Sequence, residues 1–260
     1  MRRSKTLARI RDGQVVRMCA LGHYIPSFIK HAAVYGYDCI WLDLEHRFMD
    51  DREVQALLAY SHLCDIDIMV RPSTRERARL YRYLEDGAAG IMIPHVSTPE
   101  EALALAQAVK FPPIGNRGLD GAGLDADFYH QPTGEYVDAA NRETFLVVQI
   151  ETPLAVQNVG AIAATPGVDG LFLGPADLSL RIQKERPDLT LDGCRKAVAE
   201  AARKHHKAWG QPAPSREMAG EFAKAGAQLL VRGGDYGAIM THLRECSNEF
   251  AELSMSGVIA

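Results

Sequence analysis

The chain has 260 residues, with 29 lysines and arginines against 33 aspartates and glutamates, a net charge of −4, and is 47% hydrophobic and 24% charged. These are the proportions of an ordinary soluble globular protein. A mildly acidic chain with no basic run is not built to neutralise nucleic-acid phosphates, and no apolar stretch approaches the roughly 20 residues that span a bilayer.

The basic start, Met1-Arg2-Arg3-Ser4-Lys5, has no apolar region after it and does not read as a secretory signal. Five scattered cysteines (Cys19, Cys39, Cys64, Cys194, Cys246) form no Cys-x-x-Cys pair, which reads as reduced thiols rather than a disulfide frame or zinc site. The expectation is a cytoplasmic protein that binds neither nucleic acid nor membrane.

Short apolar runs then alternate with longer amphipathic stretches. The strand-like runs are 15–21, 39–44, 66–71, 90–94, 145–150, 170–173, 208–211 and 228–231. Near-continuous apolar runs are the mark of parallel strands buried on both faces. Between them, Asp50-Asp51-Arg52-Glu53, Ser97-Thr98-Pro99-Glu100-Glu101 and Ser215-Arg216-Glu217-Met218 read as helix starts. Gly36, Gly87, Gly167 and Gly226 stand where helices should stop. Eight units share 260 residues, about 32 each, which suits a βα repeat. The pattern predicts a single (β/α)8 TIM barrel over 1–260. A doubly wound open sheet is the alternative, disfavoured because no Gly-x-Gly-x-x-Gly follows the first strand. A Gly/Pro-rich stretch at about 111–142 breaks the rhythm and reads as one long loop, a kind of segment that is often functional.

The active site of such a barrel lies at the C-terminal ends of its strands. There the sequence places Asp43-Leu44-Glu45-His46, Arg71-Pro72, Pro94-His95, Gln149-Ile150-Glu151, Gly174-Pro175-Ala176-Asp177 and Arg232-Gly233-Gly234-Asp235. Charge at the ends of apolar strands is costly unless paired or bound to a metal. Glu151 and Asp177 end adjacent strands, and two hard oxygen donors suit Mg²⁺, Mn²⁺ or Co²⁺ with positions left open. Alternatively, each caps the helix that follows. His46 could serve as a general base or be a packed, hydrogen-bonded histidine, and the same holds for His95. Arg71 calls for an anionic oxygen, or else an ion pair with Glu45 or Glu151, with Asp43 and Glu45 as supporting partners. The remaining histidines, His23 among them, read as structural or solvent-exposed. Gly233-Gly234 reads as a simple tight turn. None of the eight lysines falls at a strand's C-terminal end, which disfavours imine chemistry.

Six motifs in order then resemble the HpcH/HpaI aldolases, metal-dependent (class II) pyruvate aldolases on a phosphoenolpyruvate/pyruvate-binding barrel. They are Tyr37 to His46 ending in Asp-Leu-Glu-His, Val70-Arg71-Pro72, Leu84-Glu85-Asp86-Gly87-Ala88, Pro112-Pro113-x-Gly-x-Arg117-Gly118, Gln149-Ile150-Glu151-Thr152 and Gly174-Pro175-Ala176-Asp177-Leu178-Ser179. The resemblance implies that Glu151 and Asp177 hold one divalent cation and that no organic cofactor is needed. It makes His46 the base, acting through water, and Arg71 the group that stabilises the enolate. Gln149, Gly174, the amide of Ala176 and Asp177 become substrate contacts. It further implies a homohexamer, a trimer of dimers, with sites completed by a neighbour.

The chain departs from the pattern where the family carries a Leu-Asp-x-Gly-Ala aspartate that partners the histidine. Here Glu85 stands there, with its carboxylate one methylene further out. The reaction implied is reversible cleavage of a 4-hydroxy-2-oxo acid to pyruvate and an aldehyde. The alternatives are an acyl-CoA lyase of the citrate-lyase β-subunit type and a non-catalytic 2-oxo-acid-binding barrel.

Overall fold

A computed structural model describes residues 1–255; the last residues of the expected 1–260 unit, 256–260, lie outside the described residues. Eight parallel strands close into one barrel: β1 (Val16–Leu21), β2 (Cys39–Asp43), β3 (Asp67–Arg71), β4 (Gly90–Ile93), β5 (Phe145–Ile150), β6 (Gly170–Leu173), β7 (Ala208–Pro212) and β8 (Leu229–Gly234). Each pairs with its sequence neighbour, and β8 pairs back to β1. A helix α1 (Lys5–Arg11) precedes the barrel. Around it run α2 (Pro26–Val34), α3 (Asp51–Leu63), α4 (Arg77–Glu85), α5 (Pro99–Val109), α6 (Thr133–Glu143), α7 (Pro153–Gln157), α8 (Val159–Ala164), α9 (Pro175–Glu185), α10 (Leu191–Lys204), α11 (Arg216–Lys224) and α12 (Asp235–Met255). No helix among the described residues is long and apolar enough to cross a membrane.

The apolar runs follow from burial on two sides. Outward, Ile40, Leu42, Ile68, Val70, Ile91, Ile93, Val148, Ile150, Leu171 and Leu173 join one core with the helices. Inward, Val16, Met18, Cys39, Met69, Met92, Phe145, Val147, Phe172 and Leu229 fill the barrel, as barrel interiors are filled by layers of side chains.

Helix starts fall where the sequence places them. Asp50 and Thr98 each close a capping box, with Glu53 and Glu101 respectively, and Ser215 accepts from Met218 N at 3.2 Å. Gly36, Gly87, Gly167 and Gly226 all adopt positive φ before the next strand.

Leu7 of α1 packs into the inner cluster. Beneath it Asp67, the first residue of β3, accepts from Ser4 Oγ (2.7 Å) and Thr6 N (2.8 Å) and pairs with Arg2 (2.6 Å). These ties close the N-terminal end of the barrel, opposite the mouth.

Two expectations are corrected. The 111–142 stretch is not all loop, because its last third forms α6, which packs Tyr136 and Ala140 against Phe111 and Ala126. Gly233 and Gly234 are not a free-standing turn. They extend β8, where Met18 pairs with Val231 but Ala20 with Gly234, a β-bulge. Gly233 has φ +84°, and a Cβ on Gly234 would lie 2.8 Å from Ala20 O, so both positions need glycine.

Candidate active site

The register of β2 and β3 sets Asp43 directly beside Arg71 at the mouth. Arg71 grips that carboxylate with both arms, Nε to Oδ1 at 3.0 Å and Nη2 to Oδ2 at 2.8 Å. Its Nη1 meets Glu45 Oε2 at 3.0 Å and reaches Gln149 Oε1 at 3.5 Å. The guanidinium lies 4.6 Å over the Trp41 ring. Asp43 Oδ1 also accepts from Glu45 N and His46 N, at 3.1 and 3.3 Å. One aspartate therefore orients the arginine and shapes the turn that carries His46. Burial alone would raise the Asp43 carboxyl, but the Arg71 hydrogen bond and charge outweigh it and hold the group below its ordinary value. The ion-pair partners of Arg71 are thus Asp43 and Glu45.

Across the mouth, Glu151 follows β5 with its side chain buried. Thr152, not Glu151, caps α7, accepting from Ala155 N. Gly174 begins α9 without any side-chain cap, and Asp177 sits in the uncapped first turn. Neither carboxylate is therefore used as a helix cap. Glu151 Oε2 accepts from His95 N at 3.0 Å, and the His95 ring is near, Nδ1 to Oε2 at 3.5 Å. His95 has φ +56°, a left-handed conformation uncommon outside glycine, and this turns its N–H to the carboxylate. A Cβ at Gly174 would fall 2.2 Å from Glu151 Oε1, so the glycine is the cradle for that oxygen. Burial pushes the Glu151 carboxyl above its ordinary value; His95 opposes the shift, while the charges of Glu45 and Asp177 add to it. A buried carboxylate with two other carboxylates acting on it is a place where a cation stabilises the ionised form. The donor chemistry, two hard oxygens, fits a divalent cation. No group of three or more His, Cys, Asp and Glu among the described residues is arranged to hold a metal, so the fit rests on a two-carboxylate set.

His46 sits at the rim with a side chain 57% exposed, its Nε2 3.6 Å from Glu45 Oε2. Ala176 is exposed in the first turn of α9, where backbone N–H groups have no helical acceptor. Glu85 is not brought to this mouth by its own chain. It is the last residue of α4, and helices of a (β/α)8 barrel end at the rim opposite the active site. There, burial raises its carboxyl, opposed by the charge of Arg117. Lys110 is buried but pairs with Asp169 at 3.0 Å, just ahead of β6.

Other contacts at the mouth go beyond the sequence reading, which weighs His95 only as a base or a packed histidine. His95 joins the two carboxylates Glu45 and Glu151, with Nε2 3.7 Å from Glu45 Oε1, which only its left-handed backbone reveals. His23 and Asp235 meet at the exits of β1 and β8. The strand-end rule, applied to the first strand, points to His23.

A profile of the HpcH/HpaI aldolase/citrate lyase family matches residues 18–241. The chain belongs to this family. It is 32% identical over 241 residues to a hydroxypyruvate/pyruvate aldolase of Deinococcus radiodurans, covering 90% of this chain and 85% of that one. It is 32% identical over 230 residues to a 5-keto-4-deoxy-D-glucarate aldolase of Salmonella paratyphi C, covering 86% and 88%. The crystal structure of an HpcH/HpaI aldolase from Desulfitobacterium hafniense superposes with a TM-score of 0.88 at 29% identity, over 95% of this chain and 96% of that one. A citrate lyase β subunit from Mycobacterium tuberculosis is more distant, with a TM-score of 0.55 at 16% identity over 85% and 92%, a likeness of fold alone.

Proposed function

We propose that this protein is a class II pyruvate aldolase, a carbon–carbon lyase that reversibly cleaves a 4-hydroxy-2-oxo acid to pyruvate and an aldehyde. The observation that carries the reading is the opposition, within one barrel mouth, of a guanidinium fixed by Asp43 and Glu45 to a buried carboxylate, Glu151, that caps nothing.

Arg71 and Gln149 orient the 2-oxo acid, with the keto oxygen against the guanidinium. Glu151 and Asp177 hold one divalent cation, Mg²⁺, Mn²⁺ or Co²⁺. When bound, this ion supplies Lewis-acid stabilisation of negative charge on the substrate oxygens. His46 takes the proton of the C4 hydroxyl through water. The C3–C4 bond breaks, C4 becomes the aldehyde carbon, and the bonding pair passes into the enolate of pyruvate. Arg71 meets the charge that develops on its oxygen. A proton delivered to C3 then gives the methyl group of pyruvate. Ala176 N–H and the Gly174 backbone line the substrate carboxylate at the start of α9, where helix dipole and free amides favour an anion. Glu85 acts on His46 of a neighbouring subunit in a homohexamer, and the whole chain works as one barrel in the cytoplasm.

The test is pyruvate in D₂O with the purified protein and Mn²⁺. Loss of the methyl-proton signal, together with condensation with an added aldehyde, is the expected result. Binding of pyruvate with neither exchange nor condensation overturns the reading in favour of a non-catalytic barrel.

A further inference from the structure

Beneath the rung that joins Arg71 to Asp43 lies the indole of Trp41. Side chains alternate along β2: Ile40 and Leu42 point outward into the core shared with the helices, and Cys39 points inward. Trp41 therefore points into the barrel, two residues below Asp43, and packs on the inner cluster. In register it pairs with Met69, two residues below Arg71. Its ring meets Phe172 of β6 edge-on, with centroids 5.6 Å apart and planes at 69°. β2 and β6 stand four strands apart in the closed order, so the two rings bridge the barrel and form a shelf under the mouth. On this shelf the Arg71 guanidinium lies 4.6 Å over the indole.

The polar contacts of Arg71 all lie at the edge of its guanidinium. Asp43 takes Nε and Nη2, Glu45 takes Nη1, and Gln149 stands beyond. Such bonds run close to the guanidinium plane and fix where the group stands. Its tilt about the Asp43 contact is left to a partner on the face, and the indole is that partner. Trp offers a cation the best face of the aromatic side chains, and the attraction grows where water is excluded. Arg71 is only 7% exposed. No group among the described residues accepts from the Trp41 Nε1–H, although that atom is buried. The indole nitrogen therefore adds no hydrogen bond to the packing, and what the indole adds over a phenyl ring is its face. Three other arginines lie over rings, Arg47 over Tyr236, Arg117 over Phe111 and Arg195 over Phe222. None of those rings belongs to the inner cluster.

We propose that Trp41 is the positioning residue for Arg71, setting the tilt at which the guanidinium meets the oxygen where enolate charge develops. The inference rests on the aldolase reading, which supplies that charge. Trp41 touches no reacting atom in it and acts through the guanidinium.

The experiment is a double-variant cycle on the rate of methyl-proton exchange of pyruvate in D₂O with Mg²⁺. Trp41→Leu should lower kcat about 5- to 30-fold, the worth of a cation–π contact out of water. Trp41→Phe should lose less, because a phenyl ring keeps a weaker face. In an Arg71→Ala background, Trp41→Leu should cost no more than about 2-fold, because the group it positions is gone. A ring whose loss merely loosened the fold would cost the same in both backgrounds.

Fluorescence gives a readout that leaves Trp41 untouched. The chain has two tryptophans, and Trp209 is buried in the outer core. Arg71→Ala should shift the emission maximum, and pyruvate with Mg²⁺ should shift it in the wild type but not in Arg71→Ala. If Trp41→Leu fails to fold, Trp41→Phe in the two backgrounds and the emission shift decide in its place. Wild-type kcat in folded Trp41→Leu, an equal loss in both backgrounds, or emission unmoved by Arg71→Ala overturns the proposal while the aldolase reading stands. Absence of methyl-proton exchange in the wild type overturns both.

Discussion

Arg71 and Asp43 occupy the same rung of adjacent strands and meet through two parallel contacts, 3.0 and 2.8 Å. The pair locks the guanidinium in the plane where a keto oxygen can meet it. Removing one donor that stabilises developing charge typically costs about 10²–10³ in turnover. Arg71→Ala should lose at least that in kcat for cleavage while the circular dichroism spectrum is retained. Arg71→Lys should recover little, since an ammonium lacks the fork that fits Asp43. Wild-type kcat in Arg71→Ala would remove the role.

Asp43 also makes the fold sensitive to acid. Its folded-state carboxyl lies below the ordinary 3.8, so its stabilising contribution is complete above that value and is lost as pH falls through the lowered one. The stability difference between wild type and Asp43→Asn, taken from urea denaturation, should therefore shrink between about pH 5 and about pH 3. A difference that widens on acidification would contradict the assignment.

Gly174 tests the cradle for Glu151. A methyl group at this position would meet Oε1 at 2.2 Å, so Gly174→Ala must push the carboxylate aside. A displacement of about 1 Å at a reacting site can cost about 10²-fold. The expected outcome is a drop in kcat of that order and weaker Mn²⁺ binding by calorimetry, with little change in thermal midpoint.

Exhaustive chelation should stop turnover, and Mn²⁺, Co²⁺ or Mg²⁺ should restore it. The double variant Glu151→Gln, Asp177→Asn should bind none of them. Full activity after chelation would point to another mechanism.

The role proposed for Glu85 across a subunit boundary predicts complementation between subunits. His46→Ala and Glu85→Gln should each be weak alone. Refolded together, they should regain activity, because some mouths then combine an intact His46 with an intact Glu85 from next door. No gain on mixing would leave Glu85 a structural residue of its own chain.

Most of the barrel was legible because burial on both faces leaves unbroken apolar runs, and because Asp50, Thr98 and Ser215 announce helix starts by their chemistry. Arg71, Glu151 and Asp177 were legible as charge where apolar strands end. The rest depended on geometry that no local pattern encodes. α6 was hidden by Gly134 within it and by the Gly/Pro-rich run before it, both unfavourable to a helix. His95 matters because its backbone turns left-handed, and spacing carries no sign of φ. Arg47 and Tyr236 are 189 positions apart in the chain, 236 − 47, and meet only when the barrel closes.

Asp67 gathers Arg2, Ser4 and Thr6 at the floor of the barrel, at the opposite end of β3 from Arg71. Strand offset is thus secured at the end that carries no chemistry. The upper rim can be rewritten residue by residue without loosening the stave-work beneath it. That separation gives natural variation, or an engineer, latitude to recruit new partners for pyruvate while the scaffold stays the same.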